Sequence, residues 1–147
     1  MEATSLKSIV RAISFSLFII YFWFGIQKFF PHVSPAEEIA GNTIQVLTFG
    51  FLSFKTGLMI LAVWEVGIAF FILCCPTNRI VMGLTILHLI FTFTPFLFFP
   101  SLTLGDATGS LTLLGQYIVK NLLLICCVYF LYKVGPNLKG SLYKRTT

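Results

Sequence analysis

The chain has 147 residues, of which 57% are hydrophobic, only 10% are charged and 17 are Phe. Soluble domains carry about one quarter charged residues, so this composition excludes an ordinary water-soluble domain. The net charge is +5, but the basic residues lie at the ends of long apolar runs, where they set the orientation of a membrane protein. We therefore expect membrane lipids, and no nucleic acid, among the partners of this chain.

Four apolar runs make up most of the sequence, and each approaches or exceeds the roughly 20 residues that cross a bilayer as a helix. We predict a single transmembrane domain with spans at about 9–30, 55–75, 80–99 and 111–134. Because the turn between the second and third spans is very short, these two must be antiparallel neighbours. The predicted fold class is an all-α membrane protein, a four-transmembrane-helix antiparallel bundle.

The first apolar run has a second interpretation, because Lys7 and Arg11 resemble the basic start of a secretory signal peptide. The run continues through Phe29 and Phe30 without a small-x-small cleavage site, which favours a retained helix. Arg79 lies between spans two and three, and further basic residues follow span four. The positive-inside rule then predicts that both termini and the short second loop face the cytoplasm.

The segment 34–54 is predicted to be an external loop that contains a short helix. Ser34 can cap this helix, Pro35 can occupy its first position, and Glu37 is favourable near its N-terminus. The apolar part from Ile44 onward is too short to span separately. We interpret it as an interfacial helix or an extension of span two.

Prolines are expected to shape the last two spans. Pro95 lies one turn before the end of span three, where it would kink the helix or close it early. Gly135 and Pro136 are expected to terminate span four, and the basic tail beyond Asn137 is expected to be mobile.

Three spans each carry one ionisable residue, and such residues cost about 2.5–3.5 kcal/mol each at the centre of a membrane. They are Glu65, His88 and Lys120. Counting residues from the outer ends places Glu65 and Lys120 at a similar depth, so we predict an ion pair between them. Lys28 is expected at the outer end of span one, where a lysine can extend to the membrane surface.

Polar and small residues recur at helical spacing on each span, which predicts a polar bundle interior. On span one this stripe includes Tyr21, Gly25 and Lys28. Two interpretations remain open: the polar residues line a mid-membrane pocket, or they only fix the register of the helices. The candidate residues are Glu65, His88, Lys120, Asn121, Gln116, Tyr117, Lys28, Tyr21, Trp64 and Thr92.

Cysteines and cofactor motifs give little further guidance. The four cysteines form two adjacent pairs, Cys74–Cys75 and Cys126–Cys127, which we interpret as small apolar residues. No zinc-like spacing, Gly-rich phosphate loop or Ser/His/Asp set is recognisable, and a haem would want a second axial histidine besides His88. We therefore predict no metal or haem site and assign no catalytic residue.

Five short motifs follow the four spans in order. They are Gly25-x-x-Lys28-Phe29, Ser34-Pro35, Trp64-Glu65-x-Gly67, Thr92-x-Thr94-Pro95 and Gln116-Tyr117-x-x-Lys120-Asn121-Leu122. Together they resemble the DoxX-like superfamily of small four-helix membrane proteins, most closely the YkgB branch that includes reactive-chlorine resistance protein C. That branch tends to place an acid after the last-helix lysine, where this chain has Asn121. The difference leaves Glu65 as the expected counter-ion of Lys120.

The resemblance covers most of the chain and implies an accessory inner-membrane protein in redox homeostasis or stress. Its interior would bind a small apolar or amphipathic molecule, either quinone-like or a lipid. Two alternatives stay open, and with them whether the chain is enzymatic. One is a subunit of a quinone-linked membrane oxidoreductase within a larger membrane complex. The other is a channel or transporter, which four short spans could form only as a homo-oligomer.

Overall fold

The computed structural model describes the backbone of residues 3–143 and the side chains of residues 5–135. Within this described part of the chain, four helical stretches are long and apolar enough to span a membrane, as predicted: Ser5–Gln27, Phe54–Cys74, Arg79–Phe98 and Leu113–Gly135. Within the described backbone the regular structure is helical apart from one isolated bridge between Leu104 and Leu111. The helices are α1 (Ala3–Gln27), α2 (Glu37–Leu47), α3 (Phe54–Cys74), α4 (Arg79–Phe91), α5 (Pro95–Phe98), α6 (Pro100–Thr103) and α7 (Leu113–Tyr143).

Side-chain caps fix the starts of two long helices. The Ser53 hydroxyl accepts the Thr56 N–H at the start of α3. The Asn78 side-chain oxygen accepts the N–H groups of Ile80 and Val81 at the start of α4. Such caps satisfy N–H groups that have no partner within the helix. They place the start of α4 directly after the short turn that follows α3.

The predicted cap on the loop helix is not observed. Helix α2 begins at Glu37, and Ala36 precedes it without a side-chain cap. The carboxylate of Glu37 instead accepts the His32 N–H at 2.6 Å and holds the connection from α1. Helix α2 ends at Leu47 and is separate from α3, because Phe49 and Gly50 take positive φ angles of 52° and 77°.

The prolines act differently in the two later spans. Helix α4 ends at Phe91, and Pro95 starts α5, so the regular helix of span three closes early. Helix α7 continues past Pro136 to Tyr143, and the expected stop at Gly135–Pro136 is therefore wrong. A proline removes one helical hydrogen bond and bends a helix, but the flanking turns can continue. Residues 144–147 of the predicted mobile tail lie outside the described residues.

The apolar core joins α1, α3, α4 and α7. Its buried members are Val10, Leu17, Tyr21, Ile68, Ala69, Ile72, Met82, Leu89, Val128 and Leu131. Helices α1 and α3 make the most extensive contact, and Gly25 permits their close approach. A Cβ atom at Gly25 would lie 3.0 Å from Cβ of Glu65 and 3.0 Å from a methyl group of Val66. Because Glu65 is near the middle of α3, helix α1 ends beside the middle of α3.

Helix α2 covers the part of α3 that α1 does not reach. Gly41 packs directly against the ring of Phe54, and Ile44 packs against Gly57 in the first turn of α3. Both contacts use a glycine to bring the two backbones close together. The inner side of α2 therefore lies over the start of α3, on the same side of the bundle as the end of α1.

Candidate functional site

Lys28 and Glu65 form a buried ion pair between α1 and α3. The Lys28 ammonium donates to Oε2 of Glu65 at 2.6 Å, and only 6% and 10% of the two side chains are exposed. Lys28 also donates to the backbone oxygen of Phe24 at 3.2 Å. A cation near the last turn of a helix is favoured by the helix dipole. Lys28 thus satisfies the end of α1 and neutralises the acid of α3.

His88 and Tyr21 extend this pair toward α4. Nε2 of His88 lies 3.7 Å from Oε1 of Glu65, which is a close contact rather than a direct hydrogen bond. On its other side, Nδ1 of His88 is 3.2 Å from the hydroxyl of Tyr21. Tyr21 is 4% exposed and lies on the same face of α1 as Gly25 and Lys28. We call these four residues, Tyr21, His88, Glu65 and Lys28, the polar cluster.

The hydrogens of the polar cluster can be arranged in more than one way. When Tyr21 donates to Nδ1, the neutral imidazole carries its hydrogen on Nε2, the nitrogen that faces Glu65. When the imidazole is positively charged, both nitrogens donate. From the first of these states a proton can arrive at Nδ1 from the Tyr21 side while the Nε2 proton leaves toward Glu65, across a 3.7 Å gap that a water would have to bridge. Histidine between two polar partners is suited to this role.

The predicted ion pair between Glu65 and Lys120 is wrong. Glu65 contacts Lys28 and His88, while Lys120 is exposed on α7 and has no carboxylate within salt-bridge distance among residues 5–135. The prediction assumed that α1 continues to the outer end of the bundle, which would place Lys28 far from Glu65. In the structure α1 ends beside the middle of α3, so Lys28 lies at the depth of Glu65.

Three further candidates on α7 lie away from the cluster. The ammonium of Lys120 lies 5.0 Å from the ring centre of Tyr117, in cation–π geometry. Tyr117 and Gln116 are also exposed, and the Gln116 amide donates to the Leu111 oxygen at 3.4 Å. Because Tyr117 is closer than Lys120 to the start of α7, the lysine points toward that end of the helix. This orientation is typical of a lysine that reaches for the membrane surface.

Asn121 and Thr92 form a second polar contact between α7 and α4. The Asn121 amide donates to the Thr92 hydroxyl at 2.8 Å, and that hydroxyl donates to the Leu89 oxygen at 2.6 Å. Thr92 follows His88 by one helical turn, where α4 ends. This contact therefore fixes α7 beside the last turn of α4 and supports the position of His88 without contact with the polar cluster.

Trp64 belongs to an apolar groove rather than to the polar cluster. The groove runs between α3 and α4, has a volume of about 580 Å³, and is lined by Met59, Ile60, Val63, Trp64, Gly67, Ile68, Phe71, Val81 and Leu84. Leu84 lies one turn before His88 on α4 and lines the groove, whereas His88 is not one of the lining residues. Trp64 is the neighbour of Glu65 on α3.

Metal ligands do not gather among the residues whose side chains the structure describes. Within that range, no group of three or more His, Cys, Asp or Glu side chains could hold a metal ion. The four cysteines are free; three are exposed and Cys127 is partly buried. Cys127 packs against the apolar core, whereas the other three lie on outward faces.

Comparisons with known proteins do not add an assignment. The chain matches no family model, no curated protein and no solved structure.

The sequence did contain a signal for the cluster. Tyr21, Gly25 and Lys28 recur at helical spacing, and the glycine between the two polar residues marks the place where a second helix approaches. What the sequence lacked was the offset between α1 and α3 along their axes. This offset decides which of the two lysines meets Glu65.

Proposed function

We propose that this chain is a DoxX-like, multi-pass protein of the bacterial inner membrane, with antiparallel spans and both termini cytoplasmic. In this proposal its polar cluster binds the head of a quinone-like molecule and exchanges protons with it. The role is accessory: a partner enzyme in redox homeostasis transfers the electrons, and this chain binds the molecule and supplies or accepts its protons. A quinone that gains two electrons also takes up two protons, so a protein that handles only the protons has a defined place in that reaction.

One observation carries the proposal, namely the row of four proton-carrying side chains in the middle of the bundle. Tyr21, His88, Glu65 and Lys28 come from three helices and lie within 2.6–3.7 Å of their neighbours in the row. Ionisable groups in a membrane interior are costly, and they commonly mark ligand sites or proton pathways. A structural lock would need only the Lys28–Glu65 pair, whereas the row also includes a histidine and a tyrosine.

The apolar groove between α3 and α4 supports an amphipathic ligand. Its lining is almost entirely aliphatic and aromatic, and Gly67 leaves open space on this side of α3. A tail in the groove would run along Trp64 and Leu84, and the next position on that face of α4 is His88. In this proposal the head of the molecule reaches past the groove lining to His88, the first proton carrier of the cluster.

Tryptophan fluorescence tests the proposal, because quinones quench an indole at short range. The chain has two tryptophans, Trp64 in the groove and Trp23, which is 60% exposed on α1. In lipid nanodiscs, decylubiquinone should quench the Trp23→Phe variant, which keeps Trp64, with a saturable dependence on quinone concentration. The matched Trp64→Phe variant, which keeps Trp23, should show only the linear quenching of a probe dissolved in lipid.

The contact between the quinone head group and His88 is tested in the Trp23→Phe background, which keeps Trp64. Replacement of His88 by Leu should weaken the saturable phase, whereas replacement of the exposed Lys120 by Met should leave it unchanged. Linear quenching of Trp64, equal to that of Trp23, would contradict a quinone-like ligand in this groove.

A further inference from the structure

Three buried side-chain oxygens have no hydrogen-bond partner among the described residues. They are Oε1 of Gln27, Oγ of Ser34 and Oγ1 of Thr43. Ser34 and Thr43 are each 6% exposed. Buried polar atoms in native proteins are almost always hydrogen-bonded, to protein or to ordered water, and three such atoms in one stretch of chain call for a shared explanation.

All three oxygens belong to the segment between the polar cluster and the start of α3. Gln27 ends α1 and is the neighbour of Lys28. Ser34 lies in the connection to α2, and Thr43 lies on α2 next to Ile44, which packs on Gly57 in the first turn of α3. From Gly57 to Glu65 is about 12 Å along the helix, at 1.5 Å per residue. The segment thus covers the half of the bundle that lies beyond the end of α1.

We propose that water enters the protein along Gln27, Ser34 and Thr43 and reaches the Lys28–Glu65 pair. The polar cluster would then exchange protons with the aqueous phase on the α2 side. Water suits the three groups because it donates to an amide oxygen and both donates to and accepts from hydroxyls. A metal cation is a poorer occupant, because none of the three oxygens belongs to a carboxylate.

The inference deepens the proposed function, because it gives the cluster a route for the protons that a quinone takes up. It does not depend on a ligand, and the two can fail separately. Water contact without decylubiquinone binding would leave the route in place and remove the proposed function. Quinone binding without water contact would leave the proposed function in place and remove the route.

Water-edited solid-state NMR on the isotope-labelled full chain in liposomes tests the route directly. Magnetisation from water should reach the Ser34 and Thr43 side chains early. Ile39 is the matched control, because it is 4% exposed and lies one turn before Thr43 on the same face of α2. Ile39 should receive magnetisation severalfold more slowly. Equally slow transfer to Thr43, Ser34 and Ile39 would overturn the proposal.

Variants test whether the oxygens form one route. Thr43→Val removes the hydroxyl at nearly constant volume, and Ser34→Ala removes the other hydroxyl. Each should slow the transfer of magnetisation from water to the Lys28 ammonium, while Thr94→Val, on the turn after α4, should not. Unchanged transfer to Lys28 in both variants would overturn the route. If a variant does not fold, the comparison of Ser34 and Thr43 with Ile39 in the wild-type chain decides whether water reaches this segment.

Discussion

The ammonium of Lys28 lies 2.6 Å from a carboxylate oxygen of Glu65, which ties the end of α1 to the middle of α3. This contact has two consequences. It neutralises the acid within the apolar core, and it holds the acid beside His88, whose nitrogen lies 3.7 Å from the other carboxylate oxygen. Both the stability of the bundle and the chemistry of the polar cluster therefore depend on the same pair.

Removal of one partner of this pair should be strongly destabilising. Lys28→Met leaves the Glu65 carboxylate buried without its partner, and we expect a loss of about 3–5 kcal/mol in the free energy of unfolding. Replacement of both residues by Met should cost much less than the sum of the two single changes. Unfolding by SDS in mixed micelles measures these differences.

Lys120→Met is the matched control, since Lys120 is an exposed lysine of α7. Its removal should change the free energy of unfolding by less than about 1 kcal/mol. If Lys120→Met destabilises the chain as much as Lys28→Met does, the assignment of Lys28 as the partner of Glu65 is wrong.

The close approach of α1 and α3 should depend on Gly25. In Gly25→Ala the new methyl group meets Cβ of Glu65 and a methyl group of Val66 at 3.0 Å, so the neighbouring groups must move away by a few tenths of an ångström. We expect a loss of about 1–3 kcal/mol, as is typical of overpacked sites. Gly67→Ala is the control, because nothing lies within 4 Å of the place that its new methyl group would take. A similar loss at both glycines would argue against a specific contact at Gly25.

The hydrogen bond between Asn121 and Thr92 should contribute measurably to the contact of α7 with α4. A double-mutant cycle with Asn121→Ala and Thr92→Val should give a coupling of about 0.5–1.5 kcal/mol. Gln116→Ala, at an exposed position earlier on α7, should show no coupling to Thr92→Val. A coupling near zero for Asn121 would mean that the two side chains do not meet in the membrane.

The orientation of the spans can be tested by single cysteines on a chain whose four natural cysteines are replaced. Asp106→Cys, in the exposed loop before α7, should react with a membrane-impermeant maleimide added to intact cells. Lys7→Cys should react only after the membrane is opened. Labelling of both positions from the outside would contradict cytoplasmic termini.

Much of the fold follows from the sequence, because apolar length and proline positions are local properties. The four long apolar stretches are predictable in this way, and the early end of α4 before Pro95 is one of two outcomes that a proline allows. The continuation of α7 beyond Pro136 is not predictable from the sequence, since a proline in a long helix can bend the helix as well as end it.

The pairing within the site could not be read from the sequence. Counting residues from the span ends assumes that all helices reach the same depth. In the structure α1 ends beside Glu65, and α2 packs on the part of α3 beyond that point. The depth of Lys28 is set by this offset, which is a property of packing between helices. The same offset brings Tyr21 to His88, a contact that neither residue indicates by itself.

The most direct test of the central claim is an infrared difference spectrum of the protein in nanodiscs with decylubiquinone, recorded as the quinone is reduced electrochemically. If the polar cluster exchanges protons with the quinone, the spectrum should contain imidazole and carboxylate bands. The imidazole bands should shift on histidine isotope labelling and disappear in His88→Leu. The Lys120→Met variant should retain both the imidazole and the carboxylate bands. A spectrum that contains only the bands of the quinone itself would contradict the account.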